Sequence, residues 1–152
     1  LFEELKSVQS PIAAKPIEMK IWEAWRLHPN EDAMQRLERA QNLWAAGSAL
    51  EAIAQLDEAI AQYPDWASLW NLRATYHFVL GNFEMSLADV DAVLEREPRH
   101  FGALSGAGGI LLAQGKLDQA LTYYQRALKV YPAMARVRFR VNQLERVLGP
   151  SI

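Results

Sequence analysis

The sequence predicts an all-α fold made of repeated helix-turn-helix units, and three observations support it. Proline recurs at a constant interval, at positions 64, 98 and 132, and glycine recurs at the same interval, at positions 47, 81 and 115. Between these marks, apolar residues recur at spacings of three and four, the period of one buried helix face. Each unit should therefore contain a helix, a turn at the glycine, a second helix and a closing proline.

The helical period is clearest in the second helix of each unit. ALEAIAQLDEAIAQY in the first unit and KLDQALTYYQRALKV in the third are the two segments that show it best. Their apolar faces consist of Ala52, Ile53, Leu56, Ala59 and Ile60, and of Leu117, Ala120, Leu121, Tyr124, Ala127 and Leu128. Both segments are predicted to bury one side against a neighbouring helix.

The 34-residue helix-turn-helix period resembles that of the tetratricopeptide repeat (TPR) family. Small residues at Ala40, Ala74 and Gly108 match the family's column of closest helix contact. Three repeats are assigned to residues 33–66, 67–100 and 101–134. The resemblance implies an α-solenoid, a right-handed superhelix whose first helices line a concave face. Departures from the family pattern are Arg39, Arg73, His77, Ser86 and Val93.

The two ends of the chain are predicted to cap the solenoid, within a single domain of residues 1–152. Residues 1–32 contain two helical segments, broken at Ser10-Pro11 and Lys15-Pro16, and are interpreted as a degenerate repeat. Trp22 and Trp25 would form the core of this cap, although an exposed pair would indicate a second docking surface. Residues 135–149 are predicted to form one capping helix that ends at Gly149-Pro150. Its buried face would consist of Val137, Val141, Leu144 and Leu148.

Composition excludes several classes of protein. The 152 residues are 51% hydrophobic, enough to bury a core without metals or disulfides, and they contain no cysteine for thiol chemistry or zinc. A net charge of −2 argues against a nucleic-acid binder. No apolar stretch reaches the ~18 residues of a membrane span, so a soluble protein is expected. Because the sequence starts at Leu1, a trimmed or processed chain with no targeting segment is inferred, and the compartment stays open.

The candidate binding site is a groove lined by the first helix of each repeat. By the resemblance, residues at spacings of three and four on these helices face the concave side. Trp44, Phe78 and Leu112 would form an apolar ladder, and the small residues of the third repeat would leave a bare floor. The full predicted set is Met34, Leu37, Gln41, Trp44, Ser68, Asn71, Thr75, Phe78, Gly102, Ser105, Gly109 and Leu112. The alternative is that these side chains pack against neighbouring helices, or that an end segment covers the floor.

The predicted ligand is neutral or apolar. Some family members clamp the carboxylate end of chaperone tails with paired Lys/Arg and Asn residues. The matching positions here are Leu37, Gln41, Leu72, Gly102 and Gly106, which include no cation. That specificity is set aside in favour of a peptide or an amphipathic helix.

No enzymatic constellation is found, so no catalytic, metal or cofactor site is predicted. The glycine-rich stretch HFGALSGAGGILLAQGK is one residue too long between Gly109 and Gly115 for a phosphate-binding loop. Leu117 stands where that loop needs a hydroxyl. His77 is expected to be a hydrogen-bonded, partly buried imidazole. Asp89 and Asp91, two apart on a helix, are expected on a solvated face.

Charge is unevenly distributed along the chain. Residues 126–152 carry 6 basic and 1 acidic side chains, against 10 and 17 in residues 1–125. Arg136, Arg138, Arg140 and Arg146 could dock an acidic partner, an anionic surface or the acidic N-terminal part of another copy. The favoured alternative is a solvated outer face of the capping helix. The sequence therefore predicts a non-catalytic scaffold that binds a partner protein in its groove. The alternative function is an assembly module that self-associates end to end through its caps.

Overall fold

The computed structural model describes residues 1–149 of the chain, and this part is helical. The nine helices of these residues are α1 (Phe2–Ser7), α2 (Pro11–Arg26), α3 (Glu31–Ala45), α4 (Ala49–Gln62), α5 (Ala67–Val79), α6 (Phe83–Arg96), α7 (Phe101–Ala113), α8 (Leu117–Val130) and α9 (Ala135–Leu148). Pro150, at the predicted helix end, lies outside the described residues.

The chain divides into two compact units. One contains Leu1–Trp22 together with the segment from Arg99 onward, and the other contains Glu23–Pro98. We call them the terminal unit and the central unit. The central unit holds α3 to α6, and the terminal unit holds α1, most of α2, and α7 to α9.

Consecutive helices pack in pairs, α3 with α4 and α5 with α6 in the central unit, and α7 with α8 in the terminal unit. Each pair turns at a glycine of positive φ, +85° at Gly47, +80° at Gly81 and +75° at Gly115. In each turn the residue after the glycine donates its N–H to a carbonyl near the end of the preceding helix, as Ser48 does to Leu43. This pattern satisfies carbonyls left open at a helix end and requires a left-handed residue, which explains the glycine spacing.

Small residues allow the paired helices to approach closely, as the sequence predicts. Ala40 and Ala74 are 0% and 4% exposed, respectively. At Gly108 a β-carbon would lie 2.6 Å from Cε1 of Tyr124 on α8, so no larger residue fits without movement of the ring. Ser86, a departure from the family pattern, is buried and donates its hydroxyl to the Ala74 carbonyl at 2.6 Å.

The N-terminal segment is not a helix pair like the others. The expected break at Pro16 is wrong, because α2 continues through this residue from Pro11 to Arg26. Proline removes one backbone hydrogen bond from the helix. That loss falls on an exposed side of α2, since Ile12, whose carbonyl would have accepted the missing bond, is 87% exposed. The short α1 packs against α8 in the terminal unit, with Leu5 fully buried.

Helix α9 has the register of a first helix. It starts at Ala135, one repeat length after the start of α7 at Phe101, and Gly149 follows Gly115 at the same interval with a φ of +85°. It packs against α8 through Val137, Val141 and Leu144, which are all buried. The prediction that Leu148 shares this buried face is wrong, because this side chain at the helix end is 38% exposed.

Candidate peptide-binding surface

In the terminal unit, α2 lies against the start of α7. A β-carbon at Gly102 would lie 2.6 Å from Cη2 and 2.8 Å from Cζ2 of Trp22. The glycine is therefore small because an indole ring of the same chain occupies the space in front of it. The sequence places Gly102 on the floor of a groove open to a ligand, and the structure corrects this expectation.

An aromatic cluster holds this part of α2 in place. The Trp22 ring meets His100 and Phe101 edge to face, with centroid distances of 5.2 and 5.7 Å. Phe101 in turn meets Tyr131 at 5.2 Å. The hydroxyl of Tyr131 donates to Glu18 Oε2 at 2.9 Å, and burial together with this carboxylate raises the pKa of Tyr131 to about 12. Apolar and hydrogen-bonding contacts thus combine to fix α2 on α7 and α8.

His100 joins this cluster to the beginning of α7. Its Nδ1 accepts the N–H of Ala103 at 3.0 Å, so the imidazole caps the helix in its neutral form. The residue is 1% exposed, and burial lowers its pKa to about 4. A neutral imidazole is required here because a proton on Nδ1 would remove the acceptor.

In the central unit, the end of α2 meets the start of α5. The carbonyl of Trp25 accepts the indole N–H of Trp66 at 3.0 Å and also the hydroxyl of Ser68. His28 lies 5.0 Å from the Trp66 ring and 5.3 Å from the Tyr63 ring. Ser68, like Gly102, is predicted from the sequence to face a ligand. The structure corrects this too, since the Ser68 hydroxyl is bonded to the chain's own backbone.

Three predicted groove residues on α3 belong mainly to the central unit's core. Leu37 is 9% exposed and lies in the hydrophobic cluster between α3, α4 and α5, and Met34 packs against that cluster. Trp44 also packs there, and its ring stacks on Tyr76 at 3.9 Å with the planes 3° apart. For these residues the alternative of packing against neighbouring helices describes the structure.

The accessible part of the predicted surface lies toward the ends of α3 and α5. Gln41 on α3 is exposed, as are Thr75 and Phe78 on α5, with Phe78 40% exposed. Asn71 is half-buried, and its carbonyl accepts the Thr75 hydroxyl at 3.0 Å. The spacings of four and three place Asn71, Thr75 and Phe78 on one face of α5. This face offers an aromatic ring beside an amide and a hydroxyl.

In the terminal unit, the remaining predicted residues are half-buried on α7. The Ser105 hydroxyl donates to the Gly102 carbonyl at 3.1 Å. Gly109 has room for a β-carbon, which would meet the Tyr124 hydroxyl at 3.8 Å. Leu112 is half-buried near the helix end.

The four arginines singled out in the sequence divide between two sides of α9. All are exposed, and within residues 1–149 none forms an ion pair. Arg136, Arg140 and Arg146 share one side with Phe139, whereas Arg138 lies two positions from its nearest arginines and points elsewhere.

Two buried polar residues have specific partners in the central unit. His77 is 8% exposed, and its Nδ1 lies 3.5 Å from Asn82 Nδ2, which confirms a buried, hydrogen-bonded imidazole. The expectation that Asp89 lies on a solvated face is wrong, because it is 4% exposed. Its two oxygens bind Arg73 Nε and Nη2 at 2.9 and 2.8 Å, so the charge is paired where it is buried.

Sequence reasoning missed the role of α2 as the partner of the first helices. Glu18, Trp22 and Trp25 make the contacts described above. The available signal is the run of Ala14, Ile17, Ile21 and Trp25 at helical spacing. This spacing predicts a buried face but does not indicate which helix packs against it.

No metal-binding cluster of three or more histidine or acidic side chains occurs within residues 1–149.

The helix pairs, glycine turns and small-residue contacts define an α-solenoid of helical repeats. A family model described as tetratricopeptide repeat matches residues 37–84 and 71–135. The chain belongs to the tetratricopeptide repeat family. Domains of this kind are in general non-catalytic modules that resemble peptide-binding, protein-interaction domains.

Relatives extend the likeness to nearly the whole chain. A TPR repeat-containing protein of Rhizobium etli is 39% identical over 98% of this chain and 73% of its own length. DnaJ homolog subfamily C member 3 of Bos taurus is 33% identical over 76% of this chain, and the matched region covers 23% of that protein.

Solved structures share the fold at low sequence identity. The first TPR of Spaghetti (RPAP3), bound to the HSP90 peptide SRMEEVD, matches with a TM-score of 0.72 and 22% identity, covering 78% of this chain and 94% of that one. The Sgt2 TPR domain from Aspergillus fumigatus matches with a TM-score of 0.71 and 15% identity, covering 79% of this chain and 81% of that one.

Across residues 1–149, no helix has both the length and the apolar character needed to cross a membrane.

Proposed function

We propose that this chain is a non-catalytic protein-interaction module that binds a peptide or amphipathic helix of a partner protein through the first helices of its repeats. The observation that carries the proposal is the exposed face of α5 in the central unit. There a 40% exposed phenylalanine, Phe78, stands beside the polar groups of Thr75 and Asn71. An aromatic anchor flanked by hydrogen-bonding groups is a common arrangement in peptide recognition.

The chain's own α2 supports a helical ligand. The Trp22 ring packs on Gly102, and the Trp25 carbonyl accepts hydrogen bonds from Trp66 and Ser68. A docked amphipathic helix makes contacts of the same kinds. We therefore infer that α2 occupies the surface at the starts of α5 and α7. The partner would bind the accessible end of α5 together with Gln41 of α3.

The ligand chemistry follows from the side chains on this face. Gln41, Asn71, Thr75 and Phe78 carry no charge, so the bound segment is expected to be apolar or neutral where it meets them. The HSP90 peptide bound by the Spaghetti domain ends in the sequence EEVD. Because the positions that match the family's carboxylate clamp here hold no cation, a different peptide is expected for this chain.

Phe78→Ala tests the site. Peptides are first selected on the wild-type chain from a displayed random library. They should bind the variant more weakly than wild type by on the order of 1–3 kcal/mol, because the substitution removes the apolar anchor. Titration calorimetry on purified chains measures the change. Leu50→Ala, at an 83% exposed position on α4, is the matched control and should bind as wild type does.

Trp44→Ala is a weaker test, because Trp44 stacks on Tyr76 and packs on the core. Its loss would alter the fold as well as the surface. Selected peptides that bind wild type, Phe78→Ala and Leu50→Ala equally would show that the site lies elsewhere.

A further inference from the structure

The outer face of α9 combines exposed apolar and basic side chains. Phe139 and Val147 are 60% and 71% exposed, away from the buried side of the helix. Arg136 and Arg146 lie at spacings of three and seven from Phe139, and Arg140 lies seven before Val147, so all five share one side. Glu145, the acidic residue of α9, projects from a different side. We call the side with the three arginines the basic face.

The outer face of α6, in the central unit, has the opposite charge. Glu84, Asp91 and Glu95 follow one another at spacings of seven and four, which places three exposed carboxylates in one stripe. Ala88 lies within this stripe, and Met85 at its border is 58% exposed. We call this the acidic face. The arginines of α9 were singled out in the sequence, but the acidic face of α6 was not identified there.

The two faces match in length as well as in charge. The basic face runs from Arg136 to Val147 and the acidic face from Glu84 to Glu95, so both span the same number of positions. At 1.5 Å of rise per residue, each is about 16 Å long. With the two helices antiparallel, Arg136, Arg140 and Arg146 can lie along Glu95, Asp91 and Glu84, and Val147 then lies beside Met85.

Charge over the two compact units reinforces this complementarity. The terminal unit carries 11 basic and 5 acidic side chains, a net charge of +6, and the central unit carries 5 and 13, a net charge of −8. Such a separation favours attraction between unlike units of different molecules.

We propose that the basic face of α9 docks on the acidic face of α6 in a second copy of this chain. Both faces are exposed in the single chain, so each is available to another molecule. The contact joins two different surfaces, so it is heterologous, and each added copy presents a free face for the next. A contact between two stripes about 16 Å long is small, so the association should be weak and depend on concentration. Because it rests on ion pairs, it should also depend on salt. This inference does not rest on the peptide-binding surface proposed above.

Sedimentation velocity at low ionic strength is the first test. The wild-type chain should form dimers and larger species as its concentration rises through about 100 μM in about 0.05 M salt, and should revert to monomer near 0.5 M, where screening weakens ion pairs. Arg140→Glu should weaken the association by about tenfold or more. Arg138→Glu changes the net charge equally on a different side of α9 and should have a much smaller effect.

Charge reversal on both faces gives the decisive test. A chain with Arg136, Arg140 and Arg146 changed to Glu, and another with Glu84, Asp91 and Glu95 changed to Arg, should each remain monomeric. Their equimolar mixture should associate, because the reversed α9 of the first then meets the reversed α6 of the second. Circular dichroism checks that both variants stay helical.

The following outcomes would overturn the proposal: a wild-type chain that stays monomeric at low salt, an equal effect of Arg138→Glu and Arg140→Glu, or a mixture of helical variants that does not associate. Peptide binding at Phe78 is measured separately, so either proposal can fail without the other.

Discussion

Gly108 and Gly109 are adjacent in α7, yet they face different surroundings. A β-carbon on Gly108 would lie 2.6 Å from Cε1 of Tyr124, whereas one on Gly109 would lie 3.8 Å from the Tyr124 hydroxyl. Gly109→Ala should therefore stabilise the protein by about 0.5–1 kcal/mol through helix propensity. Gly108→Ala should destabilise it by about 1–3 kcal/mol, because the buried tyrosine ring must move.

Thermal melts of the two variants give the comparison. Gly106→Ala is the control, since the added carbon would have no atom of another helix within 4 Å, and it should stabilise as Gly109→Ala does. Equal melting temperatures for the variants at 108 and 109 would contradict the assigned helix faces.

His100 should make stability depend on pH in the weakly acidic range. Its pKa falls from 6.5 in the unfolded chain to about 4 in the fold, so below pH 6.5 the unfolded chain binds more protons. Stability contributed by the neutral imidazole is thus present above pH 6.5. It is lost as the pH falls toward 4, by at most about 1.4 kcal/mol per pH unit.

His100→Asn isolates this contribution. Asparagine can still accept the Ala103 N–H as a helix cap, but it does not titrate. Urea unfolding between pH 4 and 7 should show a smaller loss of stability in the variant than in wild type. Parallel pH profiles would mean that His100 does not control this dependence.

At the scale of helices, Arg73 links three elements of the central unit. Its guanidinium, on α5, binds Asp89 on α6 through two nitrogens and Asp57 on α4 through Nη1 at 2.8 Å. The ring of Trp70 packs against the same group, with 5.2 Å from Arg73 Cζ to the ring centroid. This arrangement explains why an arginine replaces an apolar residue of the family pattern.

The two aspartates should differ sharply in importance. Asp89→Asn leaves a half-buried guanidinium without its two-point partner and should cost about 2–4 kcal/mol. Asp57, whose side chain is 57% exposed, is well solvated, so Asp57→Asn should cost about 0–1 kcal/mol. Chemical denaturation of both variants measures this, and similar losses would show that burial does not set the strength of the pair.

The helices of the repeats could be predicted because their signals are local and periodic. Turn glycines, closing prolines and apolar spacing recur with one common period, so each repeat reinforces the assignment of the others. The course of α2 could not be predicted in this way, because residues 1–32 lack the turn glycine. Pro16 also resembles a helix boundary although its lost hydrogen bond falls on an exposed side.

At the scale of the whole molecule, the candidate site was only partly predictable. The family register identifies the side of α5 that carries Asn71, Thr75 and Phe78. It does not reveal that Trp22 covers Gly102, since this contact joins residues far apart in the sequence. The sequence shows only that residue 102 is small. It does not distinguish a glycine that admits a ligand's backbone from one that makes room for the chain's own indole ring.

The charge of the two compact units could not be predicted from the net charge of the chain. A net charge of −2 conceals units of +6 and −8, because the unit boundaries depend on how the N-terminal segment packs. Counting along the sequence detects the basic C-terminal end. The acidic stripe on α6 becomes visible once the exposed side of that helix is known.

The turn glycines have a consequence for insertions and deletions. Gly47, Gly81, Gly115 and Gly149 are evenly spaced along the chain with φ between +75° and +85°, so the backbone leaves each preceding helix in a similar direction. A duplicated or deleted segment of one full repeat brings every later side chain back to an equivalent position on its helix. A segment of half that length exchanges first and second helices, and it places a large side chain such as Tyr124 in the register of Ala107, which is fully buried. Changes in the length of the repeat region are therefore compatible with the fold in whole repeats.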